Sequence, residues 1–427
     1  MEKKTFKKGV HPPHNKLTAE LPLEDCPAPD TVRIALLQHI GKPCAPVVAP
    51  GDRVRAGTLI GSGDGLCAAV FSSVSGTVKA IEKHKTPTGA CEHVVIENDG
   101  RYETESLPPL KELTRESIVK RIKDAGIVGM GGAGFPSHVK YAPQKAVDTF
   151  ILNAAECEPY ITCDNRLLVE HAKEVLGGAA MLATALGLDR FFIGIEDNKT
   201  EVARMLDGID AGGMPFETVL LKTKYPQGAE KQLIYAVTGR KVPRGGLPAD
   251  VGAVVGNVHT AYAMYDAAVN GTPLYRRAMT VSGDVAQPKN LWVRNGTPYS
   301  VCAELCGGCP DSVKTVSGGP MMGFALPDTD YYTTKTTGAL LFLNGADANT
   351  QKPSPCINCA KCAGVCPMNL MPMYIDAYAL RGDFASAKKY GALDCMECGC
   401  CAYTCPAKRP IVQSVRLAKR KIKELKI

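Results

Sequence analysis

Between residues 356 and 405 the chain writes one cysteine pattern twice. Cys356, Cys359, Cys362 and Cys366 precede Pro367, and Cys395, Cys398, Cys401 and Cys405 precede Pro406. Each set reads C-x2-C-x2-C-x3-C-P, and the second begins 39 residues after the first (395 minus 356). In such loops three thiolates reach three irons of a cubane [4Fe–4S] cluster, and the fourth cysteine, on the segment leaving the loop, ligates the other cluster. By that rule one cluster takes Cys356, Cys359, Cys362 and Cys405, and the other takes Cys395, Cys398, Cys401 and Cys366. Zinc is the competing reading, but its sites pair C-x2-4-C units across a longer loop, and a third cysteine after two residues crowds a tetrahedron. Disulfides fit less well, because the charged start Met1-Glu-Lys-Lys-Thr5 has no apolar stretch after it and predicts a reducing compartment. The pattern therefore says that single electrons pass through this chain.

With 427 residues there is material for about three domains. The 42 glycines and 30 prolines with few aromatics suit a loop-rich mixed α/β protein. No uncharged apolar run is long enough to span a membrane, since the best, Ala179 to Ile195, is cut by Asp189 and Arg190. The formal charge of +7 is local. Residues 407–427 hold eight Lys/Arg and one acid, leaving 42 bases and 42 acids elsewhere, so nucleic acid is a poor partner. This tail reads as a solvated closing helix. Ile411, Val415, Leu417, Ile422 and Leu425 could give it an apolar side, which leaves docking on anionic lipid or an acidic partner as the alternative. Cys400 reads as a spare buried thiol, and Cys302, Cys306 and Cys309 as a turn around Gly307-Gly308 rather than a third metal site.

The text changes character along the chain. Residues 1–30, with His11-Pro-Pro-His-Asn-Lys16, form an extended arm, because paired prolines disfavour helix. Residues 31–100 are short β-branched runs between Gly, Pro and Asp, and predict a small all-β unit. Its PVVAPGDRVRAGTLIG and SSVSGTVKAIE phrases resemble lipoyl and biotinyl carrier barrels. Those domains present a lysine at the hairpin tip, where this chain has Ser72-Ser-Val-Ser-Gly76, so the unit reads as structural. Over 115–275 strand and helix text alternate and predict a mainly parallel sheet covered by helices. Residues 276–347 return to β text, a β-grasp-like unit. Residues 353–427 place helical text between and after the cysteine loops, an α-helical di-cluster ferredoxin module similar to the iron–sulfur parts of fumarate reductases. The fold class is multidomain α+β.

Gly129-Met-Gly-Gly-Ala-Gly-Phe-Pro136 is the second chemical signature. Glycines let backbone N–H groups approach a phosphate or a flat ring. The loop follows helical text, so it is not the strand–loop–helix of a dinucleotide fold, and by itself it could be a tight turn. Residues 129–140, 153–159, 225–230 and 256–260 together resemble the NADH-binding flavoprotein subunit of respiratory complex I. The resemblance implies that Gly129, Gly131, Gly132, Gly134 and Lys140 hold FMN phosphate and ribityl, and that Asn153, Glu156, Glu230 and Asn257 line the flavin. It implies that Phe135 and Glu158 meet the nicotinamide nucleotide. Met130, Ala155 and Ala229 depart from the arginine, aspartate and glutamate of those relatives. Read from the residues alone, Glu156 and Glu158 are either a solvated loop or, at the end of the strand TFILNA, part of a site. A flavin suits the clusters, since it takes a hydride and releases electrons singly.

The order of arm, barrel, flavin domain, β-grasp unit and paired cysteine loops resembles the RnfC family of Rnf electron-transport complexes. That resemblance implies a peripheral subunit on the cytoplasmic face of the membrane, with FMN and two [4Fe–4S] clusters. It implies electron exchange between NAD(H) and partner subunits that link ferredoxin to Na⁺ or H⁺ transport. The rivals are a soluble cobalamin reductase sharing the flavin and ferredoxin modules, and a flavin-free iron–sulfur wiring protein in which the glycine loop is structural.

Overall fold

The computed structural model describes residues 3–309, 312–345, 347–348 and 350–427; Met1 and Glu2 of the charged start lie outside the described residues. Four β-branched and aromatic runs, Phe216–Leu221, Phe191–Glu196, Thr149–Ala154 and Ala253–Asn257, form a parallel sheet in that spatial order. Side chains alternate across it: Phe150, Leu152 and Ala154 enter the core under the helices Ala172–Ala185 and Val258–Tyr265, and Ile151 enters the core on the opposite face. From Thr149–Ala154 the chain steps outward twice and then returns to the other flank with Ala253–Asn257. The strand order therefore reverses between these two, and their carboxyl ends open a crevice where such sheets bind ligands.

The expected single helix LLVEHAKEVLGGAAMLATALG is two, Cys163–Glu170 and Ala172–Ala185, because His171 leaves helical geometry at φ −129°. The helical text between the cysteine loops is likewise two, Pro372–Leu380 and Phe384–Lys389, parted at Gly382 with φ +76°.

Thr31–Ala35, Gly89–Asn98, Gly76–Thr86 and Arg53–Val54 form one sheet of the small β unit, and Ala45–Pro46, Leu59–Ser62 and Val70–Phe71 the other. The segment where carrier domains expose a lysine is buried here. Ser73 Oγ donates to Asn295 O at 2.6 Å, and Arg294 Nη1 donates to Ser73 O at 2.7 Å, which fixes this tip onto the neighbouring six-stranded sheet. That sheet runs Leu23–Asp25, Lys289–Arg294, Arg276–Gly283, Ala339–Leu343, Lys314–Ser317, Phe324–Leu326. The arm is thus more than an extended lead-in: Leu23–Asp25 pairs parallel with Asn290–Trp292 and supplies an edge strand. Cys302 and Cys306 are fully buried in the core of this unit beside Cys26, as part of its packing.

The closing helix Ile411–Leu425 turns Ile411, Val412, Val415, Ala418 and Ile422 into the ferredoxin-like core. Those residues are covered by protein, whereas Leu425 at the end of the helix is exposed. None of the described helices is long and apolar enough to cross a membrane.

Lys335 lies fully buried where three units meet and donates to Gly126 O (2.7 Å) and to Ala69 O, while its N–H donates to Gln38 Oε1. Burial pushes its ammonium down to about 7 from an ordinary value of 10.5. A lowered folded pKa means the unfolded chain binds the extra proton between about pH 7 and 10.5, so this group's contribution to stability rises with pH in that window. Urea unfolding at pH 7, 8 and 9 should show wild type gaining on Lys335→Met by up to about 1.4 kcal/mol per pH unit.

Candidate flavin and iron–sulfur site

The crevice at the strand ends is built from segments far apart in sequence. Asn153, on a central strand, and Asn257, on the neighbouring edge strand, are direct register partners. Asn153 Nδ2 donates to Gly228 O at 2.8 Å, and Asn257 Nδ2 to Asp164 Oδ2 at 2.6 Å. The glycine loop arches above them as a closed turn in which Gly129 N donates to Phe135 O at 2.9 Å. A Cβ on Gly131 would strike the Asn257 amide at 2.9 Å. Gly134 stands at φ +72° against Gln38 and His39 of the barrel, a conformation and a space that exclude side chains. Gly131 and Gly132 are exposed on the crest, and Phe135 is half-buried behind them. Lys140 Nζ and Glu230 Oε1 pair at 2.8 Å on the open side. Met130, in place of an arginine, is buried in the core and brings no charge to the crevice.

Glu156 and Glu158 are not a solvated loop. Glu156, with a side chain 6% exposed, accepts from Asp164 N at 2.8 Å, capping the first turn of the helix Cys163–Glu170, and Lys199 Nζ stands 3.7 Å away. Burial pushes its carboxyl up against the opposing charges of Lys16 and Lys199. Glu158 accepts from Met321 N (3.2 Å), Met322 N (3.0 Å) and Tyr225 OH (3.4 Å). Burial lifts it to about 7 despite those donors. Phe135, Asn153, Glu156, Glu230 and Asn257 therefore gather around one crevice, whereas the Glu158 carboxylate is spent beneath the Met321-Met322 turn.

The residues fit a flavin nucleotide. Glu156 Oε2, Asp164 Oδ1, Glu196 Oε1 and Lys199 Nζ are buried polar atoms without a hydrogen-bond partner, as are both ends of the Gln227 amide, although Glu156 Oε2 and Lys199 Nζ face each other at 3.7 Å. Buried polar groups cost free energy unless paired, so such a collection at a strand-end crevice marks a polar ligand's seat. Gln227 escaped the sequence reading, although it sits one residue from Gly228.

Lys16 escaped it too. From the HPPHNK arm its ammonium donates to the carbonyls of Glu156 and Glu158, each at 2.8 Å, and of Ile161. His14 O accepts from Tyr160 N at 2.9 Å beside it. The same arm bonds Gly9 N to Val365 O (3.0 Å) and Lys8 Nζ to Ala363 O (3.1 Å) in the ferredoxin-like module.

In that module, Cys366, Cys395, Cys398 and Cys401 line one concavity, and Cys356, Cys359, Cys362 and Cys405 line another. These are the two crossed-over sets. Left-handed residues recur at one offset: Asn358 and Glu397, Ala360 and Gly399, Asn369 and Lys408, each pair 39 apart (for example 397 minus 358). Such turns point backbone N–H groups into a concavity, which suits anionic thiolates. Glu397 N donates to Cys395 Sγ at 3.3 Å and Leu370 N to Cys366 Sγ at 3.4 Å. The donor set and the loop shape fit cubane clusters.

The two concavities differ in setting. Cys356 and Cys359 are exposed, whereas Cys366, Cys398 and Cys401 are buried. The buried concavity abuts the crevice, since Cys398 and Cys400 pack with Tyr225, Cys157, Val10 and Met321. Lys419 Nζ bonds Cys395 O at 2.6 Å, and Lys419 and Arg416 both grip Glu397, so the closing helix clamps this loop.

Crevice and paired concavities define a multidomain flavin and iron–sulfur electron-transfer protein, and comparison with known proteins agrees. Family models match as an RnfC barrel sandwich hybrid domain (residues 4–101), a Nuo51 FMN-binding domain (122–266), an SLBB domain (279–325) and a 4Fe-4S dicluster domain (348–406). The chain is 46% identical to the C subunit of the proton-translocating ferredoxin:NAD(+) oxidoreductase complex of Clostridium ljungdahlii, over 97% of this chain and 93% of that one. It is 44% identical to the Na(+)-translocating counterpart of Acetobacterium woodii, over 98% and 97%. The crystal structure of an air-oxidized NAD+-reducing [NiFe]-hydrogenase shares the fold, with a TM-score of 0.52 at 19% identity over 73% of this chain and 61% of that one. The chain belongs to the RnfC family, the C subunits of ion-translocating ferredoxin:NAD(+) oxidoreductase complexes. Its cofactors are FMN and [4Fe–4S] clusters, which sets aside the flavin-free reading.

Replacing Lys16 leaves three inward carbonyls without their cation. Lys16→Met should cost the holoprotein about 3 kcal/mol in urea unfolding and lower the FMN retained after gel filtration.

Proposed function

We propose that this chain carries electrons between NAD(H) and the membrane partners of an ion-translocating ferredoxin:NAD⁺ oxidoreductase, as a peripheral subunit on the cytoplasmic face. The observation that carries the reading is the burial order of the two cysteine sets. The inner set (Cys366, Cys395, Cys398, Cys401) meets the flavin crevice through Cys398, and the outer set (Cys356, Cys359, Cys362, Cys405) opens to the surface at Cys356 and Cys359. The flavin, when bound, interconverts a hydride and two single electrons.

The chain's own residues position that chemistry. Backbone N–H groups of Gly129, Gly131, Gly132 and Gly134, with Lys140, hold the phosphate and ribityl. Asn153, Glu156, Glu230 and Asn257 line the ring. Phe135 shields the nicotinamide side, and a contact from Glu158 to the nucleotide requires the Met321-Met322 turn to release its carboxylate. A cluster held by the inner set would stand nearer the crevice and could exchange electrons with a flavin there, and one held by the outer set, with Cys356 and Cys359 exposed, would be within reach of partner subunits and, through them, ferredoxin.

Anaerobically purified protein should hold about eight irons and one FMN, and NADH should bleach the flavin. Cys356→Ser should lower the iron to about four and leave that bleaching, while electron delivery to a viologen acceptor falls at least tenfold. Unaltered delivery would place the exit at the inner set instead.

A further inference from the structure

We propose that Tyr225 is a positioning residue whose hydroxyl ties the inner cluster's loop to the flavin segment and sets that cluster's reduction potential; this rests on the assignment of Cys366, Cys395, Cys398 and Cys401 to one cluster. Tyr225 is 1% exposed. Its OH donates to the backbone carbonyl of Cys398 at 2.7 Å and lies 3.4 Å from the Glu158 carboxylate. One hydroxyl therefore touches both a ligand of the inner cluster and the acidic segment that ends the central strand.

The main chain fixes the ring from the other side. Tyr225 and Val10 exchange both backbone hydrogen bonds at 2.9 Å, so the arm straps the tyrosine in place. Across the joint, Gly399 follows Cys398 at φ +78°, and a Cβ there would meet Met321 O at 2.5 Å. The cluster loop is thus held between the Met321 turn and the Tyr225 ring with no room to shift. A phenol buried like this needs an acceptor.

The electrostatic consequence has a sign. The O–H dipole turns its positive end toward the Cys398 peptide, and polarising that carbonyl draws electron density away from the peptide of a cluster ligand. Both favour the more negative, reduced cluster and so raise its potential, since hydrogen bonding and burial are the protein's levers on such centres. The outer cluster has no such contact with Tyr225.

The test is a redox titration of the full-length, cluster-loaded protein followed by electron paramagnetic resonance. In Tyr225→Phe one of the two cluster signals should move to lower potential, so that its oxidised-to-reduced ratio at the wild-type midpoint rises about threefold, and the other should stay. Incorporating 3-fluorotyrosine at 225, which keeps the shape and makes the hydroxyl a stronger donor, should move the same signal upward. Tyr299→Phe, which removes a buried hydroxyl bonded to Ser317 in the six-stranded-sheet unit, is the control for general loosening and should move neither. Two unmoved signals with iron content intact would overturn the role of Tyr225, as would equal movement of both. Failure to find two clusters at all would instead overturn the ligand assignment. If Tyr225→Phe does not fold, the fluorotyrosine protein alone decides: an unmoved or lowered potential sinks the proposal.

Discussion

The geometry of the crevice depends on one buried cation. Beyond Ala154 the central strand leaves its sheet, and the carbonyls of the following residues lose their ladder partners. A buried carbonyl without a donor costs free energy, and several in a row would keep this segment from holding one shape. The Lys16 ammonium gathers those of Glu156, Glu158 and Ile161 in one place. Burial presses its pKa down, and the charge of Glu156 holds it up. Around that point the acidic side chains take fixed directions, Glu156 toward the helix start and Glu158 toward the joint with the cluster loop.

This explains why the arm is bonded to so many units. It bridges Leu221 at the edge of the parallel sheet, pairs with Tyr225, bonds the ferredoxin-like module and ends as a strand in the six-stranded sheet. An electron path is only as reproducible as the spacing of its stations. A strap that crosses every joint holds that spacing without relying on the linkers between units. The immobilised serine tip of the barrel works to the same end, because a unit built like a swinging carrier is here a fixed wall behind Gly134.

Much of this could be read from the sequence, for identifiable reasons. The cysteine spacing alone groups Cys366 with the second loop and Cys405 with the first, and the two concavities gather the same cysteines. The parallel sheet followed from alternating strand and helix text. Its gathering of Asn153 and Asn257 followed from the resemblance to flavoproteins. What stayed hidden were residues whose meaning lies in a partner far along the chain. Lys16 sits about 140 residues from its carbonyls and Tyr225 about 173 from Cys398, and no local pattern marks either pairing. Glu158 was legible as part of a site, but the Met321-Met322 turn that claims its carboxylate was not. Leu23–Asp25 was missed because three residues of mixed polarity carry no strand signal; an open sheet edge made them one.

The repeated left-handed turns place the same loop in two surroundings. Three pairs of left-handed positions separated by the same interval as the cysteines give the two loops one backbone course. Where the copies differ, the difference is informative. Position 360 is alanine on an exposed loop, and its counterpart at 399 is glycine, pressed against Met321. The glycine lets one loop settle into the body of the protein, while the other keeps its surface open. The same loop is thus set in two different surroundings, one walled in by the protein and one facing outward.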